Sequence, residues 1–143
     1  MADPDWDNPE VEGHWMAEQR AHAQDYLQQQ RVPFGMIEPQ ASWSVAPYVA
    51  LWRALGSRTG EPAYWVITGD LPADFIPSDA AASPRAALSA IADRWRTVGS
   101  YMQAGKDHPT IQIGTPLDRP LLADLLIRRA GILATWAADD EDW

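Results

Sequence analysis

The stretch that most constrains the fold is residues 64–77, which read Tyr-Trp-Val-Ile-Thr-Gly-Asp-Leu-Pro-Ala-Asp-Phe-Ile-Pro. Its first five residues are aromatic or β-branched, which favours a strand with both faces buried. Gly69-Asp70-Leu71-Pro72 follows directly, and glycine, aspartate and proline together favour a turn. The stretch therefore predicts a buried strand that ends at Gly69. It contains no nucleophile beside a base, no metal-ligand cluster and no phosphate-binding loop.

A second apolar stretch, residues 43–55, precedes this strand. Apolar side chains occupy both alternations of the stretch, so we expect a single strand that is also covered on both faces. Residues 56–62 contain Gly, Ser, Thr and Pro, and they predict the loop of a hairpin between the two strands. The proline-broken connector at 32–39 leaves room for a short edge segment.

Three helices are predicted from capping residues and apolar periodicity. The first begins at Asn8-Pro9-Glu10 and runs to about residue 30. The second begins at Ser83-Pro84-Arg85, and Gly105 ends it. Its apolar residues fall within one arc: Leu88, Ile91, Ala92, Trp95, Val98, Gly99 and Met102. A last helix opens near residues 115–120 and continues to about residue 138; it is apolar over most of its circumference and should lie deep. Its narrow polar strip carries Asp124 and Arg128 at i, i+4. Residues 110–113 alternate enough for one brief strand.

The expected architecture is one α+β domain, in which a small antiparallel sheet around the central hairpin is packed by three helices. A chain of 143 residues has the usual size of one domain. We assign residues 1–7 to a flexible acidic N-terminal tail, residues 8–138 to the domain and residues 139–143 to an acidic C-terminal tail. The hairpin and the last helix should share one core, with Trp52 and Trp65 mostly buried.

The net charge of −9 is concentrated at the two ends of the chain. Residues 1–12 carry five acids and no base, residues 139–142 are all acidic, and the segment between them has 11 acids against 11 bases. Since that middle segment is neutral, it offers no basic groove for a nucleic acid. We expect no nucleic-acid partner, and a basic protein is the partner that the acidic ends would favour.

The amino-acid composition limits the cellular compartment and the kinds of catalytic or metal site that we expect. The chain has no cysteine, hence no disulfide, thiolate nucleophile or cysteine-ligated zinc site. The N-terminus opens with acid rather than a basic region followed by an apolar run, and the longest apolar tract is too short to span a bilayer. We expect a cytoplasmic protein with no membrane association and no cofactor.

The sequence resembles a family of small bacterial proteins of unknown function with the signature Tyr-Trp-Val-Ile-Ser/Thr-Gly-Asp-Leu-Pro. The resemblance rests on the signature at Tyr64–Pro72 and on Trp52, the segment from Ala86 to Trp95 and the segment from Leu126 to Ala130. It covers roughly residues 43–138. It implies a bacterial, cytoplasmic, single-domain protein, and it supplies no catalytic residues, because the family has no assigned activity.

Two constellations could carry chemistry, and each has a structural alternative. Asp70 and Asp74 could form a carboxylate pair for acid–base work, with Arg129 and Thr68 completing a pocket. The alternative is that Asp70 caps the turn or pairs with Arg129, which lies within the apolar arc of the last helix and needs a partner there. In that case Asp74 caps a local donor.

The second constellation is His14, Glu18 and His22, which recur every four residues on one face of the first helix. This spacing can present two imidazoles and a carboxylate to one metal ion. The alternative, a solvated polar face, is favoured because no second helix offers a matching His or Glu ladder.

The acidic ends are the more suggestive feature for function. At both ends a tryptophan lies among carboxylates. Such a segment could bind a partner by inserting the aromatic ring into a pocket that has basic residues at its rim. The residues are Trp6 at the N-terminal end and Asp139, Asp140, Glu141, Asp142 and Trp143 at the C-terminal end. The sequence favours a non-enzymatic interaction module, an adaptor or an immunity-type inhibitor. The alternatives are a small-molecule-binding or hydrolytic enzyme and a metal site. For the tails themselves, the alternative to partner binding is that they only increase solubility.

Overall fold

The computed structural model describes residues 5–58, 63–104, 119–140 and 143. The chain divides into two compact units, residues 1–84 and residues 85–143. The first unit holds helix α1 (Pro9–Gln29) and strands β1 (Met36–Ile37), β2 (Trp43–Val45), β3 (Val49–Leu55), β4 (Tyr64–Gly69) and β5 (Asp74–Pro77). A short 3-10 helix, Ser78–Ala80, follows β5. Helix α2 spans Pro84–Gln103, and helix α3 spans Arg119–Ala138.

The predicted hairpin forms the centre of the sheet. Strands β3 and β4 pair antiparallel from Val49 opposite Gly69 to Ala54 opposite Tyr64. β5 pairs with the other edge of β4, while β1 and β2 both pair with the other edge of β3. All of these pairings are antiparallel, so the described strands form one five-stranded antiparallel sheet. The predicted α+β class is confirmed.

The prediction of one strand over residues 43–55 was wrong. The chain reverses at residues 45–48, where the Tyr48 N–H donates to the Val45 carbonyl at 2.7 Å, and β2 pairs back onto β3. This turn contains a cis peptide bond between Ala46 and Pro47. The apolar pattern runs unbroken through the turn because residues on both sides of it are partly or fully buried, so periodicity alone could not show the reversal.

Helix α1 covers one face of the sheet. Asn8 caps it as predicted, because its side chain accepts a hydrogen bond from the Glu10 N–H at 2.9 Å and Pro9 opens the first turn. The helix and the sheet share one apolar cluster, whose buried members are Trp15, Ala23, Leu27, Ile37, Ala50, Trp52, Ala54 and Val66. Alternate residues of β3 and β4 therefore point toward α1.

The opposite face of the sheet is also buried at its centre. Val49, Leu51, Trp65 and Ile67 have almost no exposed surface. Trp52 and Trp65 are 1% and 4% exposed, so their predicted burial is confirmed. The common core that we expected for the hairpin and the last helix stays a prediction.

The second unit is helical where it is described. Helix α2 buries the arc that periodicity predicted, with Leu88, Ile91, Trp95 and Val98 in the interior. Helix α3 is less deeply buried than expected: Leu126 and Leu133 are buried, but Ile132 is 39% exposed. One face of α3 is polar, and its Asp124–Arg128 ion pair has the predicted i, i+4 spacing at 2.9 Å. No helix among the described residues has the length and apolar character needed to cross a membrane.

Several predictions from sequence fall outside the described residues. These are the helix stop at Gly105, the brief strand at 110–113, residues 115–118 of the predicted last helix, most of the hairpin loop at 59–62, residues 1–4 of the N-terminal tail, and Glu141 and Asp142 of the C-terminal tail. The assignment of residues 8–138 to one domain also stays a prediction.

Two helical glycines predict opposite responses to alanine. A Cβ added at Gly99 would lie 2.6 Å from Ile127 Cγ1 and 3.2 Å from the Ala123 carbonyl oxygen, whereas nothing lies within 4 Å of one added at Gly131. Gly131→Ala should raise the free energy of unfolding by about 0.5–1 kcal/mol through helix propensity. Gly99→Ala should lower it by about 1–2 kcal/mol, because overpacking against a stiff β-branched side chain outweighs that gain. Urea denaturation of both variants checks this, and equal stabilisation by both would contradict the close approach of α2 and α3.

Candidate functional site

Thr68 lies in the core of the sheet and is fully buried. In the β3–β4 register it faces Ala50, next to Trp52 on the same side of the sheet. Its Oγ1 accepts a hydrogen bond from the Trp52 Nε1–H at 3.1 Å. This bond satisfies a buried indole N–H that would otherwise be costly. The hydroxyl of Thr68 thus serves the packing of the sheet and does not face a solvent-filled pocket.

The turn after β4 depends on Gly69. This residue has φ of +138°, and a Cβ added there would lie 2.3 Å from the Tyr48 carbonyl oxygen. The same carbonyl accepts a hydrogen bond from the Asp70 N–H at 2.9 Å. Only glycine combines this backbone conformation with so close an approach. The turn holds the Asp70 side chain on the exposed surface.

Asp74 has a different environment from Asp70. It opens β5, lies opposite Ile67 and is only 2% exposed. Its Oδ1 accepts a hydrogen bond from the N–H of the next residue, Phe75, at 2.9 Å. Asp74 thus caps a local donor, as the structural interpretation expected. One carboxylate is exposed and the other is buried, so the two do not present a common open surface for acid–base work.

Arg129 lies in α3 and is half-buried, with its Nε atom fully inside. The expected partial burial is confirmed. The pairing of Arg129 with Asp70 stays a prediction, as does a pocket built from Arg129, Thr68 and the two aspartates.

His14, Glu18 and His22 are exposed on α1, whose buried residues are Trp15, Ala23 and Leu27. Throughout residues 5–58, 63–104, 119–140 and 143, no group of three or more His, Asp or Glu side chains is arranged to hold a metal ion. The spacing on the helix is therefore that of a solvated polar face.

At the N-terminal end, Trp6 is half-buried against the apolar cluster of the first unit. Its ring meets that of Trp15 edge to face, with centroids 6.3 Å apart. The backbone before α1 is folded, because the Asn8 N–H donates to the Asp5 carbonyl and the Asp7 N–H donates to Asp5 Oδ1. Part of the segment that we expected to be a flexible tail is thus packed on the helix.

Arg85 at the start of α2 contacts two groups near the C-terminal end of α3. Arg85 donates from Nε to the Ala137 carbonyl at 2.5 Å and from Nη2 to Asp140 Oδ1 at 2.7 Å. Trp143 folds back, and its Nε1–H donates to the Trp136 carbonyl at 3.0 Å. These donors satisfy carbonyl groups that the last turn of α3 leaves without helical partners. The Asp140 side chain remains 90% exposed.

Sequence reasoning missed the part played by Arg85. It lies 55 residues from Asp140, so no local spacing links the two. In the sequence Arg85 follows the proline that opens a helix, and this position does not indicate a contact with the end of a distant helix.

Comparison of the chain with models of known protein families identifies one family. The model described as Domain of unknown function (DUF4826) matches residues 10–143. No curated protein and no solved structure matches the chain. The match extends further than the resemblance seen in the sequence, which began at residue 43. The signature motif and the bacterial source stay predictions.

A double-mutant cycle tests the structural role of Thr68. Thr68→Val should lower the free energy of unfolding by about 1–3 kcal/mol, because it leaves the Trp52 indole N–H buried without an acceptor. Trp52→Phe should also destabilise, and the double variant should lose less than the sum by at least about 0.5 kcal/mol. Thr68→Ser is the matched control, since it keeps the hydroxyl. Strictly additive losses would show that the two side chains do not interact.

Proposed function

The chain belongs to the DUF4826 family, which has no assigned function, and we propose that it is a non-enzymatic interaction module that binds a basic protein through its acidic C-terminal end. An adaptor or an immunity-type inhibitor in the bacterial cytoplasm would act in this way. The contact surface is defined here as the C-terminal acidic end: Asp139, Asp140, Glu141, Asp142 and Trp143.

The observation that carries the proposal is the contact of Arg85 with the Asp140 carboxylate. A partner that meets preorganised side chains does not have to order them, and ordering costs about 0.5–1.5 kcal/mol per side chain immobilised on binding. Arg85 bonds both the Ala137 carbonyl at the end of α3 and the Asp140 side chain, and the Trp143 indole bonds the Trp136 carbonyl. The carboxylate of Asp140 and more than a third of the Trp143 surface still face solvent.

Charge distribution supports a basic partner. Four acids lie within residues 139–142, and Arg85 pairs with one of them, Asp140. Because residues 13–138 are neutral in sum, long-range attraction of a cation must come from the ends of the chain. Such attraction raises association rates by roughly 10-fold to 1,000-fold and weakens as salt screens it.

The candidate catalytic side chains favour the interaction module over the enzyme. The Thr68 hydroxyl accepts from a tryptophan, and the Asp74 carboxylate accepts from its own strand. The exposed histidines of α1 have no arrangement of neighbouring ligands among the described residues. The candidate catalytic groups of Thr68 and Asp74 are thus engaged within the fold, and the histidines of α1 are exposed to solvent.

Neutralising the acidic end should abolish its electrostatic attraction of a basic partner. The test variant is Asp139→Asn/Glu141→Gln/Asp142→Asn, which keeps Asp140 so that the Arg85 contact survives. A matched control, Glu18→Gln/Asp25→Asn/Asp79→Asn, removes the same charge from exposed sites elsewhere. Proteins captured from a bacterial lysate by the parent and the control, but not by the neutralised variant, are the expected partners. Their association with the neutralised variant should be about tenfold slower, with a weaker salt dependence.

Unchanged capture and unchanged salt dependence in the neutralised variant would overturn the proposal. The C-terminal acidic end would then be a solubilising segment. The surface to probe next would be the turn from Gly69 to Pro77, which sequence analysis singled out.

Arg85→Met separates preorganisation from charge. The variant makes the acidic end more negative by one unit, so electrostatics alone predicts faster association with a basic partner. It also removes the two Arg85 hydrogen bonds to Ala137 and Asp140, so we expect faster dissociation and a net loss of affinity. Stopped-flow or surface plasmon resonance measurements resolve the two rates. An unchanged dissociation rate would show that the Arg85 contacts do not contribute to binding.

A further inference from the structure

The hydrogen-bonding pattern of β4 and β5 shows which backbone groups of β5 point away from the sheet. The Ser78 N–H donates inward to the Ala63 carbonyl at 2.9 Å, just past the register that places Pro77 opposite Tyr64 and Ile76 opposite Trp65. Inward and outward groups alternate along an antiparallel strand. Ile76 and Asp74 therefore direct their N–H groups toward β4, while Phe75 and Pro77 face the outer edge.

Neither outward position on β5 offers a free N–H. Pro77 has no backbone N–H at all. The Phe75 N–H is taken by Asp74 Oδ1 at 2.9 Å. In the described part of the chain β5 pairs only with β4, so this is the edge at which a further strand would add. A carboxylate and a proline together remove the donors that such a strand would need.

The edge at β1 is closed by an arginine. The Glu38 N–H donates inward to the Arg53 carbonyl at 3.0 Å, so the alternation turns the carbonyl of Ile37 outward. Arg20 of α1 donates from Nη2 to that carbonyl at 2.5 Å and from Nε to the Glu38 carbonyl at 3.2 Å. The outward acceptor of β1, the Ile37 carbonyl, is thus occupied by a guanidinium.

We propose that Asp74 with Pro77, and Arg20, prevent a second copy of this chain from adding a strand to the sheet at β5 or β1. An unprotected row of N–H and C=O groups is a template for strand addition, and each edge here lacks one half of that row. Strand addition at β5 and β1 is thereby disfavoured, so a partner would bind side-chain surfaces such as helix faces and turns rather than these two edges.

The β5 edge is tested with a variant that restores both outward donors, Asp74→Ala/Pro77→Thr. Asp74→Asn is the matched control, because its side-chain oxygen still accepts from Phe75 while the charge is lost. We expect the weight-average mass of the double variant to rise with concentration to about twice that of the parent, the value for one added copy, with an infrared band for intermolecular strands. The control should keep the parent's mass at every concentration.

Two further variants keep the test decisive if loss of the buried Asp74 prevents folding. Pro77→Thr alone changes an exposed residue and restores one donor, and Arg20→Met, with Arg20→Lys as its control, frees the β1 carbonyls. Each should self-associate more than its control in sedimentation equilibrium. Variants that melt cooperatively and keep the parent's mass would overturn the proposal, as would self-association of Asp74→Asn equal to that of the double variant.

Discussion

The arrangement of the first unit follows from strand β4 being apolar on both faces. A strand of this kind is stable only when other elements cover both faces and pair with both edges. β3 and β5 supply the edges, and α1 covers the face that carries Val66. Burial then creates a second requirement, since every polar atom inside must find a partner. Trp52 meets it through Thr68, and Trp65 meets it by donating to the Ala81 carbonyl at 3.1 Å.

A recurring use of charged side chains in this chain is to satisfy backbone groups at the ends and edges of elements. Asp74 accepts from an N–H at the edge of β5, Arg20 donates to carbonyls at the edge of β1, and Arg85 donates to a carbonyl at the end of α3. Hydrogen bonds with one charged member are roughly twice as strong as neutral ones. These three charged side chains therefore stabilise the boundaries of the secondary structure, and one of them, Asp74, was a catalytic candidate.

Sequence predicted the parts of the fold that depend on local chemistry. The Asn8-Pro9 cap placed α1 within one or two residues, and the apolar arc of α2 was predicted in full. The hairpin of β3 and β4 was also predicted, because both strands are continuous in apolar character. These features are encoded by neighbours in the chain.

The misses have different physical origins. The turn at Pro47 lies inside an apolar run, and the proline, which argues against a continuous central strand, was the local signal that periodicity overrode. Strand β5 was missed because proline and a carboxylate normally argue against a strand, and here those two residues lie on its outer edge. The Arg85 contact with Asp140 joins residues 55 apart, and no periodicity reports it. Among the candidate site residues, a local cap was one of the predicted roles of Asp74, whereas nothing in the sequence indicated that Trp52 donates to Thr68.

Engaged backbone groups on β5 and β1, together with the Arg85–Asp140 contact, lead to one expectation about how this chain would be recognised. Strand addition relies on main-chain hydrogen bonds and is tolerant of sequence, whereas a charged, shaped surface discriminates by its side chains. Since the outward donors of β5 are engaged or absent and the outward Ile37 carbonyl of β1 is engaged, strand addition at these two edges would be disfavoured. The Asp140 carboxylate, by contrast, is bonded to Arg85 and still exposed. A basic partner of the proposed kind would therefore have to place a cation where it reaches Asp140 beside Arg85, so selectivity would lie in the position of its cations as well as in its total charge.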